Sequence, residues 1–191
     1  MKVYVLYDQR RPEQEIDAMH AELARQGIEY EAIWSLHFFS STAMNINLAH
    51  KLFVRLAQEK GLPEVCILEA DAMFPSLGGW RLFLEHKPKD FDIYLAGTYG
   101  LQMDYMRQHE HGVYPITSIN GLHCYIIRAQ FYDTFLSLPA DQHIDVALDG
   151  LGKYFVCYPF AAIQRPGWSA NARGNVNYNA NLLPCDVLGW E

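Results

Sequence analysis

The 191-residue chain lacks any run approaching the roughly 18–20 apolar residues of a membrane span. Its opening, MKVYVLYDQRRPEQ, has no long apolar core and no small-residue cleavage site. It therefore reads as the first strand of a fold rather than a signal peptide, and the expected location is the cytoplasm. Basic charge is scarce: the formal net charge is −7. The nearest approach to a basic patch, DQRRPE (Asp8–Glu13), is too short for a general nucleic-acid surface. A small polyanion such as a nucleotide stays open, because one or two cations or a metal ion suffice to hold it. The four cysteines lie far apart with no CxxC spacing, which argues against a thiolate zinc site or a redox pair. Cys66, Cys124 and Cys157 sit in apolar runs and read as buried thiols. There is no internal repeat, GxSxG elbow, HExxH, P-loop or complete GxGxxG.

What is present is a core-building composition: half the residues are apolar and 14% are aromatic. KVYVLY (Lys2–Tyr7) reads as a strand. EQEIDAMHAELARQ follows with Ile16, Met19, Leu23 and Ala24 near helical spacing, after Pro12 and before Gly27. IEYEAIW alternates like a strand. INLAHKLFVRLAQEKG is helical, with Leu48, Leu52, Leu56 and neighbours on one face. EVCILEAD is a central strand whose unbroken apolar run suits a sheet covered on both faces. Strand–helix–strand–helix–strand predicts an α/β fold with a mainly parallel sheet. Further on, WRLFLEH and AQFYDTFLSLP are expected helices, and FDIYLAG and KYFVCYPF expected strands. YPITSI and LHCYIIR are strands around Asn120-Gly121, a tight-turn signal. From Gln164 the chain is rich in Asn and Gly and reads as a long loop or tail, with Trp168 and Tyr178 available to anchor it.

The candidate chemistry lies in VCILEADAMF, where an apolar strand runs into Glu69 and Asp71. In open α/β sheets ligands bind beyond the carboxyl ends of the strands. The pair is either a solvated strand end or a site for Mg²⁺ or Mn²⁺, which take carboxylate oxygens and share substrate phosphates. His50, in the preceding helix, faces either the cleft or the core.

Asn45–Phe74, with Ala49-His50 leading to Glu69-Ala70-Asp71, resembles the Ser-His helix and Leu-Glu-Asp-Asp strand end of glycosyltransferase family 25. That family includes lipopolysaccharide glycosyltransferases and collagen galactosyltransferases. KVYVLYDQRRPEQ, INGLHCYIIRAQFYDTFLSLP, QHIDVAL and YPFAAIQRPGWSAN resemble its other segments in the same order. The resemblance implies a GT-A-like α/β domain over residues 1–163, with 164–191 packing on it, and a mainly parallel mixed sheet flanked by helices. It also implies sugar transfer from a nucleotide-sugar donor to a glycan or other hydroxyl acceptor, assisted by a divalent cation and inverting. In that reading Glu69 and Asp71 hold the metal. Tyr7, Arg10, Arg11, His50, Gln164, Ser169 and Asn171 serve the donor side, and Asp145 is the base. Asp145 also fits an ordinary acid at a helix start. The family's middle acid is Ala70 here and its Ser is Ala49. These departures keep open a non-catalytic glycan- or nucleotide-binding relative; a narrower variant of the transferase reading is an enzyme acting on modified DNA bases, against which the acidic charge speaks.

Overall fold

The computed structural model describes residues 1–8, 10–35, 37–100, 103–109, 111–169 and 171–189. Strand β1 (Lys2–Tyr7) leads through Pro12 into helix α1 (Glu13–Gln26), whose first turn carries Glu13 and Glu15. Acids there meet the positive end of the helix dipole. Gly27, at φ 67°, ends the helix in the left-handed region that glycine enters without a Cβ penalty. After β2 (Glu31–Trp34), helix α2 spans Thr42–Glu59. It starts earlier than its apolar pattern predicts, because the Ser41 hydroxyl accepts from the Met44 amide and caps it. The leucine stripe is not the most buried face. Ala49, His50, Phe53, Val54 and Ala57 face the sheet, whereas Leu48 and Leu52 are 36% and 42% exposed. The large ring of Phe53 stacks on Tyr4 and sets the helix's rotation, leaving the leucine stripe on the flank.

The chain continues through β3 (Glu64–Glu69), β4 (Ala72–Met73), α3 (Gly79–Glu85), β5 (Ile93–Leu95), α4 (Asp104–His109), β6 (Gly112–Ile116) and β7 (Cys124–Arg128). Then come α5 (Tyr132–Ser137), α6 (Ile144–Ala147), β8 (Tyr154–Tyr158), β9 (Ile163–Gln164), β10 (Gly167–Ser169) and β11 (Gly174–Val176). The main sheet has seven strands in the order β2-β1-β3-β7-β5-β8-β6. Strands β1, β2, β3, β5 and β8 share one direction, and β7 and β6 oppose it. The fold is thus a mixed, mainly parallel sheet between helical layers. Phe53, Val54, Tyr132, Phe135, Ile144 and Leu148 of α2, α5 and α6 and the turn after α6 cover one face. Met19, Leu23, Trp80 and Phe83 of α1 and α3 cover the other. Cys66, Cys124 and Cys157 are buried free thiols, as expected, and Cys185 is exposed.

Asn120-Gly121 does not join a hairpin. Strand β7 inserts between β3 and β5, and β6 pairs with β8 at the sheet edge. Burial explains the split: Cys124–Ile127 are all 0% exposed and need cover on both faces, whereas β6 is largely half-exposed. The turn instead clasps the end of β5, where Thr98 Oγ1 donates to the Asn120 carbonyl (2.9 Å).

The Asn- and Gly-rich segment is folded back on the sheet. β9 pairs with β4, and β10 with β11. Farther on, the fully buried Asp186 accepts from Arg107 Nε (2.9 Å) and Nη2 (2.6 Å), from the Tyr158 hydroxyl (2.9 Å) and from the Leu183 amide (2.8 Å). Burial pushes this carboxyl up, but the Arg107 fork and the other donors bring it below the usual range. A depressed carboxyl stabilises the fold above its unfolded value and loses that contribution as pH falls. Arg107→Met should therefore cost about 2 kcal/mol at pH 7, less than a fully buried pair because Arg107 is partly open to water. Urea unfolding of the variant and the parent should show this gap closing as the pH drops through the acidic range.

Candidate functional site

Strands β1, β3 and β5 run the same way, so their carboxyl ends share one edge. There a cleft of about 290 Å³ opens, lined by Arg11, Glu69, Asp71, Asp145, Gln164, Ser169 and Asn171. These sequence-predicted residues come from five separated stretches of the chain. Pairing of β4 with β9 sets Ala72 opposite Gln164, which brings Gln164 Nε2 to Asp71 Oδ2 (2.8 Å). The β10–β11 hairpin closes one wall, with the Ser169 hydroxyl 3.2 Å from that of Tyr178. Asp145 lies in the first turn of α6; its Oδ1 accepts from the Val146 amide (3.0 Å) and its Oδ2 from the Gly121 amide (3.4 Å).

Three predicted residues sit elsewhere. Tyr7 is 0% exposed and packs beneath α1 against His20 and Trp34, ring centroids 5.4 and 5.2 Å away. Alternation along β1 turns it away from the cleft. Arg10 forks onto Asp8 (2.7 and 3.1 Å) beside a smaller adjoining hollow, with its guanidinium 6.0 Å from the Trp168 ring centroid. His50 is wholly buried behind Glu69: its Nε2 lies 3.0 Å from Glu69 Oε1 and its Nδ1 2.9 Å from the Tyr125 hydroxyl. An ionised carboxylate only accepts, so the hydrogen-bond network assigns a proton to Nε2.

The two acids are held differently. Burial raises the Glu69 carboxyl, but the His50 hydrogen bond, with the nearby His50, His123 and Arg11, brings it below the ordinary value. Asp71 is raised, by burial and then by the charge of Glu69, against the pull of Arg11, Gln164 and His123. Arg11 Nη2 donates to Asp71 Oδ2 at 2.5 Å, while Nη1 donates to Glu15 at 2.9 Å. Among the described residues, Asp71 Oδ1 is buried with no hydrogen-bond partner. Ala70, between the acids, is 3% exposed and packs in the apolar layer beneath α1. It also borders the adjoining hollow.

No group of three or more His, Cys, Asp or Glu side chains among the described residues is placed to hold a metal ion. Mg²⁺ and Mn²⁺ often need only one or two carboxylates, with phosphates and water completing the shell. The unpartnered Asp71 Oδ1 beside Glu69 fits that donor set. Arg11 already occupies the other Asp71 oxygen.

Sequence reasoning missed Tyr99, Asn120, His143 and Tyr178, which also line the cleft. Tyr99 follows β5, so the rule that pointed to the end of β3 also points to it. Its hydroxyl accepts from the Gln164 amide (2.5 Å), and its ring lies 5.6 Å from that of Tyr178. Gly97 lets β5 end tightly against the 161–163 segment: a Cβ there would stand 2.0 Å from the Ala162 carbonyl oxygen.

No protein-family model matches the chain, and no curated protein sequence is similar to it. Solved structures do align with it. Protein A197 from STIV shares the fold: 13% identity, TM-score 0.51, over 96% of this chain and 97% of that one. Mannosyltransferase PcManGT from Pyrobaculum calidifontis, solved with GDP-Man and Mn²⁺, aligns at 11% identity and TM-score 0.49, over 82% of this chain and 56% of its own. HddC from Yersinia pseudotuberculosis aligns at 11% identity and TM-score 0.47, over 85% and 92%. No helix among the described residues is long and apolar enough to cross a membrane.

Proposed function

We propose that the chain is a GT-A-like glycosyltransferase that moves a sugar from a nucleotide donor to a hydroxyl acceptor with inversion. What supports this reading is the gathering of an acid pair, a guanidinium and a separate carboxylate around one cleft at the carboxyl edge of the sheet. It agrees with the family resemblance of the sequence. The cleft's 290 Å³ lies near the lower end of small-molecule sites, which run from about 300 Å³ upward.

In this reading Glu69 and Asp71 would hold Mg²⁺ or Mn²⁺, which supplies positive charge to the departing diphosphate. Arg11 meets the same diphosphate through a planar fork suited to phosphate oxygens. Gln164, Ser169 and Asn171 hydrogen-bond the donor. Arg10 serves the rim of the adjoining hollow. His50 does not touch ligand; it fixes the Glu69 carboxylate and acts as a positioning residue. Tyr7 supports the strand from below. Asp145 takes the proton of the acceptor hydroxyl as that oxygen bonds to the anomeric carbon and the bond from that carbon to phosphate breaks.

The Arg11–Asp71 contact favours a second reading, a relative that binds donors without transferring sugar, because the guanidinium occupies a carboxylate that the metal needs. Calorimetry with a panel of nucleotide sugars, with and without Mn²⁺, followed by transfer assays on mono- and oligosaccharide acceptors, separates the two. Binding with turnover supports the enzyme, and binding without turnover on any acceptor supports the relative. No binding of any donor overturns both.

A further inference from the structure

We propose that Arg11 is a resident cation standing in the metal's place on Asp71, and that a nucleotide diphosphate draws it away before a divalent ion binds. Donor and metal then load in that order. The inference rests on the glycosyltransferase reading of the same cleft.

Arg11 follows β1 in the turn before α1 and reaches Asp71, sixty positions later in the chain. Both side chains are largely covered, 16% and 5% exposed, so the contact is shielded from water and salt. It engages only one Asp71 oxygen: Arg11 Nη2 and Gln164 Nε2 both donate to Oδ2, and Oδ1 is left buried and bare. Asp71 therefore keeps an acceptor that its present partners do not use. A guanidinium and a divalent ion cannot share this carboxylate cheaply, because like charges a few ångströms apart in a shielded site repel strongly. Arg11 also cancels one of the two acidic charges of the pair. Ala70 adds no charge, and its methyl group faces the apolar layer.

The diphosphate resolves the conflict. It offers more negative charge than Asp71 and oxygens that match the guanidinium fork, which a lone contact to Oδ2 does not satisfy. Arg11 lines both the main cleft and the adjoining hollow, so its far end can turn toward a phosphate in either without leaving the site. Glu15, through its contact to Nη1, tethers it as it moves. Asp71 is then open to the ion, and the phosphates add further oxygen ligands.

The test is Mn²⁺ titration of the full chain without nucleotide, read by calorimetry and by the electron paramagnetic resonance signal of free Mn²⁺. Parent protein, Arg11→Gln, Arg11→Met and Arg11→Lys are compared, with thermal melts reporting which variants are folded. The neutral variants should bind Mn²⁺ at least about tenfold more tightly than the parent, and Arg11→Lys should not. A second arm titrates UDP and GDP in EDTA, where the neutral variants should bind the preferred diphosphate about tenfold more weakly. Neutral variants with parental Mn²⁺ affinity overturn the inference. So does Mn²⁺ binding by no variant in any state, although donor binding would then still support a glycosyltransferase. If neither diphosphate nor any nucleotide sugar binds, the glycosyltransferase reading and the displacement of Arg11 by a diphosphate both fail, whatever the Mn²⁺ arm shows.

Discussion

The double variant Glu69→Gln, Asp71→Asn is expected to lower sugar transfer by about a thousandfold and to remove the metal-dependent part of donor binding. The effect is large because, in the proposed reading, these two carboxylates hold the cation that supplies positive charge to the leaving diphosphate. Amides are the informative choice. Alanine at 69 would strand the buried His50 Nε2–H, at a cost of about 1–3 kcal/mol in stability. Glutamine keeps an acceptor there, and asparagine keeps one for Arg11 and Gln164. Loss of transfer with an unchanged melting temperature then reports chemistry rather than folding. Parental metal-dependent binding in this variant would remove Glu69 and Asp71 from the metal assignment.

Asp145→Asn should also cost about a thousandfold in kcat, in the usual range for a general base, while donor affinity stays near the parental value. The geometry favours a clean experiment. The Asn oxygen can still accept from the Val146 amide at 3.0 Å, so the start of α6 is preserved. What disappears is the capacity to take a proton from a hydroxyl in the cleft, together with the long 3.4 Å acceptance from the Gly121 amide. Steady-state assays that separate kcat from the donor KM distinguish this role from that of an acid which merely begins a short helix. A parental kcat would leave Asp145 with the second role alone.

The first half of the chain was legible because its signals are local. Apolar spacing, Pro12, Gly27 and the unbroken run of β3 identified three strands and two helices. The same pattern placed Glu69 and Asp71 at the carboxyl edge of the sheet. Period-two alternation already implies that Glu69 and Ala70 face opposite sides, and that Tyr7 points the same way as Val3 and Val5. Which side is the cleft does not follow from alternation. That depends on which helix covers each face. The rotation of α2 rests on packing for a related reason. Leu48, Leu52 and Leu56 form a regular stripe, but the packing of Phe53 on Tyr4 decides which flank is buried.

The second half depended on partners distant in sequence. Asn120-Gly121 carries a hairpin signature, yet β7 is buried on both faces and takes the place between β3 and β5. Local turn preference is worth less than burying four consecutive core residues. Tyr99, Tyr178 and the β10–β11 wall entered the site only because strands far apart in the chain end at one edge.

Sequence by itself determined the α/β alternation, the acid pair at a strand end and the order of segments that resembles a transferase family, because each is written in contiguous or evenly spaced residues. Tertiary structure alone decided that His50 stands behind Glu69 and that Arg11 lies on Asp71. Both are contacts between charged or polar groups brought together by burial, and burial is a property of the packed sheet rather than of any stretch of chain.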